Sequence, residues 1–180
     1  MSRFALFLFG SPYIERDEVP VNVDTRKALA LSAYLAVTGQ RQSRETLSTL
    51  LWPDYDQPRA RAALRRTLST LNKALDGQWL DIDRETVGFD CRANAWIDVA
   101  EFQHNLTTYR KHNHPPSEIC PLCLQMLTRS VTLYRDNFLA GFNLHDSANF
   151  DNWQFFQTDN LRREQAHALE RLVNYYSVLA

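Results

Sequence analysis

Five glycines in 180 residues, none within a few positions of another, constrain this chain more than any other feature. They stand at Gly10, Gly39, Gly77, Gly88 and Gly141. A phosphate-cradling loop needs clustered glycines to bring several backbone N–H groups onto one anion, so the standard nucleotide-binding loops drop out. The Gly-x-Ser-x-Gly nucleophile elbow drops out with them. Glycine is left to act as punctuation, and the chain between the glycines reads as a series of short elements.

Phe4-Ala5-Leu6-Phe7-Leu8-Phe9 is an apolar, aromatic-rich run suited to a buried strand. Residues 11–25 hold extended pieces, with Pro12, Pro20 and the alternating Val21-Asn22-Val23. The polar run Glu15-Arg16-Asp17-Glu18 predicts a hairpin turn, although it lacks the expected glycine. Ala28, Leu31 and Leu35 predict a helix over 25–38, closed by Gly39. Ser43 is a cap signal for a second helix, which Pro53 stops near Trp52. After a turn at 54–58, a third helix is predicted from Gln57 to Leu75, with Gly77 closing it. Trp79-Leu80-Asp81-Ile82 and Thr86-Val87-Gly88-Phe89, joined by Asp83-Arg84-Glu85, predict a second hairpin. Strands, three helices and a hairpin are the order of a winged helix-turn-helix with a small sheet at its front.

The second half is helical in pattern. Asp98 is expected to cap a helix carrying Val99, Phe102, Leu106 and Tyr109. A polar loop over 111–118, a helix over 122–134, an apolar loop at 138–142 and a final helix from about Asn149 follow. The expected fold is mainly α with small β elements, in two domains: a winged helix over 1–92 and a helical domain over 93–180, with the boundary at 91–96. Phe150, Trp153, Phe156, Leu169, Leu172, Tyr175 and Tyr176 read as a core stripe on the last helix against the two preceding helices, or as a partner surface. Leu172, Tyr176 and Leu179, in a pattern that stops without a cap, are expected to be covered by further chain or a second copy.

Lys plus Arg number 20 and Asp plus Glu 21, a net charge of −1 that argues against coating nucleic acid by bulk charge. The charge is nevertheless segregated. Arg59, Arg61, Arg65, Arg66 and Lys73 put five cations and no acid into the third helix. Its apolar stripe, Ala60, Leu64, Leu68, Leu71 and Leu75, is expected to pack inward. Arg59, Ala62, Arg66, Ser69, Thr70 and Lys73 lie opposite, with Arg61 and Arg65 on the flank. Arg reads guanine edges or grips phosphate, and Ser and Thr bond either. The face therefore reads as a recognition helix or as a solvated surface with an excess of arginine. Its position before a hairpin tipped by Arg84 favours the first.

Three cysteines are too few for a disulfide scaffold and point to a reducing compartment. With no signal-peptide pattern at the N-terminus, the chain reads as cytoplasmic and not membrane-bound. His112-Asn113-His114 and Cys120-Pro121-Leu122-Cys123 supply four ligands of the types a structural zinc takes. His104, one or two helical turns earlier, is an alternative to one of the histidines. The same residues also read as a metal-free loop with a thiol pair, or as a redox pair. Cys91 reads as packing only. No cofactor is required, no small-molecule substrate is indicated, and nothing suggests an enzyme: a catalytic zinc would need an open position and a general base.

The stretch Ser43 to Asp54 with Leu50-Leu51-Trp52-Pro53, then Ala60-Arg61-Ala62-Ala63-Leu64-Arg65-Arg66, resembles the DNA-binding domain of SARP-type transcriptional activators, an OmpR-like winged helix. The hairpin at 83–89 and Trp96-Ile97-Asp98-Val99-Ala100-Glu101-Phe102 fit the same pattern. Leu133-Tyr134-Arg135-Asp136-Asn137-Phe138-Leu139-Ala140-Gly141-Phe142 resembles the bacterial transcriptional activator domain that follows it, which is similar to tetratricopeptide repeats. The resemblance implies binding of double-stranded promoter DNA, often as a dimer, with recruitment of RNA polymerase. It carries the third-helix residues Arg59, Arg61, Arg65, Arg66, Ser69, Thr70 and Lys73, and Arg84, into a DNA-contacting role. No receiver domain is recognisable, so a phosphorylation switch is not implied. The alternative is a protein interaction module with no DNA binding of its own.

Overall fold

A computed structural model describes residues 3–90, 95–112 and 119–179, with residue 179 described by its backbone only. Most of the expected domain boundary, together with Cys91 and His114, lies outside these residues.

The N-terminal run forms β1 (Phe4–Phe7), followed by β2 (Tyr13–Arg16) and β3 (Val19–Val21) in an antiparallel meander. Asp17 and Glu18 both take left-handed backbone angles, φ 51° and 66°, as a two-residue hairpin turn demands. The turn forms without glycine because Asp17 is tied down. Its N–H donates to the Arg3 carbonyl at 2.8 Å, and its carboxylate accepts the Arg3 N–H at 2.7 Å. Helix α1 (Arg26–Thr38) is capped by the Thr25 hydroxyl and ended by Gly39 at φ 62°. The two-residue strand β4 (Gln42–Ser43) leads into α2 (Arg44–Leu51), capped by Ser43 and stopped at Trp52. Asp56 caps α3 (Gln57–Ala74), with Pro58 in its first turn. β5 (Leu80–Ile82) and β6 (Thr86–Phe89) form the second hairpin, completed as a sheet in the order β4-β6-β5.

A strand that the residue pattern does not announce, β7 (Ala95–Ile97), pairs in parallel with β1, so the front sheet runs β3-β2-β1-β7. Helices α4 (Asp98–Lys111), α5 (Pro121–Leu133) and α6 (Ala148–Leu179) complete the chain. The observed class is mainly α with small β elements, a winged helix-turn-helix followed by helices.

Asp98 corrects one expectation. Ile97, not Asp98, is the N-cap of α4, and the Ile97 side chain makes no capping bond. The Asp98 side chain instead turns back to the end of β1. It is 1% exposed and accepts the N–H of Leu8 at 2.9 Å, of Phe9 at 3.0 Å and of Val99 at 2.8 Å, with Arg135 at 3.4 Å. Burial pushes this carboxyl above the ordinary range, and the N–H groups and Arg135 pull against it.

Further contacts bind the halves together. Phe9 packs edge-on to Phe102 and also meets Tyr134. The 138–142 loop bonds the end of β1, with Leu139 N–H donating to the Leu8 carbonyl and Ala140 N–H to that of Gly10. At the other side, Ser147 donates its hydroxyl to the Leu51 carbonyl, Asn149 bonds Thr49, and Trp153 packs on Tyr34.

On α6, Phe150, Leu161, Ala168 and Leu172 are buried and Trp153 partly so. Phe156, Leu169 and Tyr176 do not join the core: they are exposed, along with Phe155 and Val173. Leu172, expected to need a separate partner, is covered by the chain itself. No helix among the described residues is long and apolar enough to cross a membrane.

Candidate nucleic-acid interface and thiol cluster

Helix α3 is divided as its sequence dictates. Ala60, Leu64, Leu68, Leu71 and Leu75 are buried, joined by Ala63 and Thr67. At about 100° per residue these fill less than half of the helix circumference, and the remainder faces outward. Arg59, Arg61, Arg65, Arg66, Ser69 and Lys73 are all exposed and Thr70 is half-buried. Small Ala62 sits in the middle of that arc, where it lets a ligand come close to the helix backbone.

The hairpin β5–β6 stands beside the N-terminal half of α3. Its turn is organised by Asp83, whose carboxylate accepts the N–H of Glu85 at 2.7 Å, the N–H of Thr86 at 2.6 Å and the Thr86 hydroxyl at 2.9 Å. These bonds to the charged form hold Asp83 well below the usual carboxylate range. Arg41 lies along the hairpin, bonded to Thr86 and paired with both Asp81 and Asp83. Gly88 permits this, because a Cβ there would stand 3.0 Å from Arg41 Cγ. Arg44, in the first turn of α2, donates through Nε and a terminal nitrogen to the Asp83 carbonyl at 3.1 and 2.9 Å.

Between helix and hairpin lies a groove of about 700 Å³ whose charged lining is four arginines, Arg44, Arg61, Arg65 and Arg84, and two acids, Glu45 and Glu85. The structure thus brings Arg61, Arg65 and Arg84 together. Of the remaining predicted residues, Arg59, Arg66, Ser69, Thr70 and Lys73 share the exposed arc of α3 outside the groove. The Arg59 guanidinium lies 4.1 Å from the centre of the Tyr55 ring, a cation–π contact that fixes its direction. Arg41 and Arg44 carry no local sequence signal for this position beside the wing. Their partners lie some forty residues away, and only the Ser43 cap signal placed Arg44 at a helix start near the groove.

The second cluster joins α4 to α5. His112 is the C-cap of α4, Cys120 the N-cap of α5, and Cys123 lies in the first turn of α5. His112 Nδ1 is 3.5 Å from Cys120 Sγ and 3.4 Å from Cys123 Sγ, and the Cys123 N–H donates to Cys120 Sγ at 3.4 Å. That N–H bond lowers the Cys120 thiol pKa, while burial pushes Cys123 up to about 11. His104 is exposed on α4 and stands apart from this group.

No protein-family model matches the chain, and no curated protein does. Among solved structures, it superposes on Mycobacterium tuberculosis EmbR, described in complex with a low affinity phosphopeptide. The TM-score is 0.73 and the sequence identity 19%, over 99% of this chain and 48% of that one. The two share a fold. The chain spans about half the length of EmbR.

Proposed function

We propose that this chain is a sequence-specific DNA-binding transcriptional regulator of the SARP type. In this reading α3 enters the major groove, the β5–β6 wing follows the adjacent backbone, and the helical half, similar to tetratricopeptide repeats, contacts other proteins. RNA polymerase and a second copy on direct repeats are the partners the resemblance implies. The observation that carries the reading is the convergence of Arg61, Arg65 and Arg84 on one groove between helix and wing, with a further cationic arc beside it and no acid on the helix. The major groove is about 12 Å wide and admits a helix, and guanidinium groups suit both guanine edges and phosphates. The EmbR-like fold supports the same architecture.

The test is selection of bound duplexes from genomic fragments, followed by affinity measured against salt. Each neutralised phosphate adds about −0.9 to the slope of log K against log salt. Replacing Arg61, Arg65 and Arg84 together by Ala is expected to make that slope shallower by roughly 3 and to abolish selection. Failure to bind any duplex, with no salt dependence, would leave a protein interaction module instead.

A further inference from the structure

We propose that His112, Cys120 and Cys123 bind a zinc ion that staples the end of α4 to the first turn of α5. The inference is independent of DNA binding. Three donors from two elements meet at one point, with all their ligand atoms within 4.8 Å of one another.

The spacing matches the ion. Tetrahedral zinc, with Zn–S of about 2.3 Å and Zn–N of about 2.0–2.1 Å, separates a sulfur from a nitrogen ligand by about 3.6 Å along an edge. The two nitrogen–sulfur distances here are 3.5 and 3.4 Å. Two thiolates and an imidazole are the soft and borderline ligands that select zinc over the oxygen-seeking cations. The helical start at Pro121 brings both sulfurs of Cys120-Pro121-Leu122-Cys123 to the same side of one turn, and the Cys123 N–H fixes the Cys120 sulfur there. Binding releases the two thiol protons to solvent, and two thiolates with a neutral imidazole balance the charge of the ion. His114, the remaining ligand expected from the sequence, lies outside the described residues.

The metal would join positions that the chain separates by residues 113–119 and so close the α4–α5 pair at that end. The full untagged chain, purified under reductant without chelator, is expected to carry about one zinc per molecule by elemental analysis. Titration of the metal-stripped protein with cobalt(II) is expected to give a near-ultraviolet thiolate-to-cobalt band and the intense visible bands of a tetrahedral site. H112A and C120S, both at solvent-accessible positions, are each expected to lose most of the zinc while keeping the wild-type circular dichroism. H104A is expected to keep it. A chelator is expected to lower the Tm of the wild type but not of C120S. Protein that holds only traces of zinc and gives no thiolate-to-cobalt band would overturn the proposal, as would full zinc retention by H112A or C120S. These readings need no DNA, so they stand or fall apart from the regulator reading.

Discussion

At the scale of single residues, two aspartates do more than their neighbours, and both act on backbone N–H groups. Asp83 builds the wing turn. Because its folded-state pKa is lowered, its contribution is present above the ordinary carboxylate range and is lost as pH falls through that range toward the lower folded value. The protection of the Glu85 and Thr86 amides, taken relative to intrinsic exchange at each pH, is therefore expected to hold at neutral pH and to fall on strong acidification. D83A is expected to remove the protection at neutral pH; equal protection in the variant would contradict the assignment. Asp98 is buried, and its removal strands the N–H groups of Leu8 and Phe9. At about 1–3 kcal/mol for each unsatisfied buried donor, D98A is expected to cost roughly 3 kcal/mol by urea unfolding, and a cost under about 1 kcal/mol would refute this. The cations of α3 were legible because a helical wheel needs only local spacing. The partners of Arg44 and Asp98 were not. A side chain that bonds backbone 39 or 90 residues away leaves no periodic trace in the sequence.

Elements show the same division between local and remote causes. The helices of the first half announce themselves through caps and stops, as Ser43, Pro53 and Gly39 do, and the observed bounds follow those signals. β7 gives no such signal. It is three residues long, too short for a period, and exists as a strand because β1 offers a parallel edge. The final helix misleads for the opposite reason: it has apolar residues on too many sides. Phe150, Leu161 and Leu172 are covered, whereas Phe155, Phe156, Leu169 and Tyr176 are not, and composition alone does not separate the two sets. The energetics do separate them. L161A removes a fully buried side chain and is expected to cost about 2–5 kcal/mol. L169A, at a position 42% exposed, is expected to stay within about 0.5 kcal/mol. Equal losses in chemical denaturation would mean that the face carrying Leu169 is buried in solution.

For the molecule as a whole, charge and packing act in different directions. A chain of net −1 that concentrates five cations on one helix leaves −6 for everything else. A body that is net negative outside α3 disfavours general adhesion to a polyanion and leaves α3 as the favoured point of approach. That selectivity requires the cationic face to be held rigidly, and the packing supplies this. The end of β1 is bonded by Asp98 and by the 138–142 loop, and α2 is tied to the start of α6 through Leu51 and Thr49. Phe9, Phe102 and Tyr134 share one aromatic cluster across the two halves. Cutting the chain after residue 92 would remove β7 and expose Phe9 and the N–H groups that Asp98 satisfies. The whole chain is therefore expected to unfold in one calorimetric transition, with van't Hoff and calorimetric enthalpies equal. A fragment of residues 1–92 is expected to melt lower than the parent and to bind duplex DNA more weakly at equal salt. Two resolved transitions in the parent, or a fragment as stable as the whole, would show that the halves are independent and that the helical half plays no part in holding the cationic face.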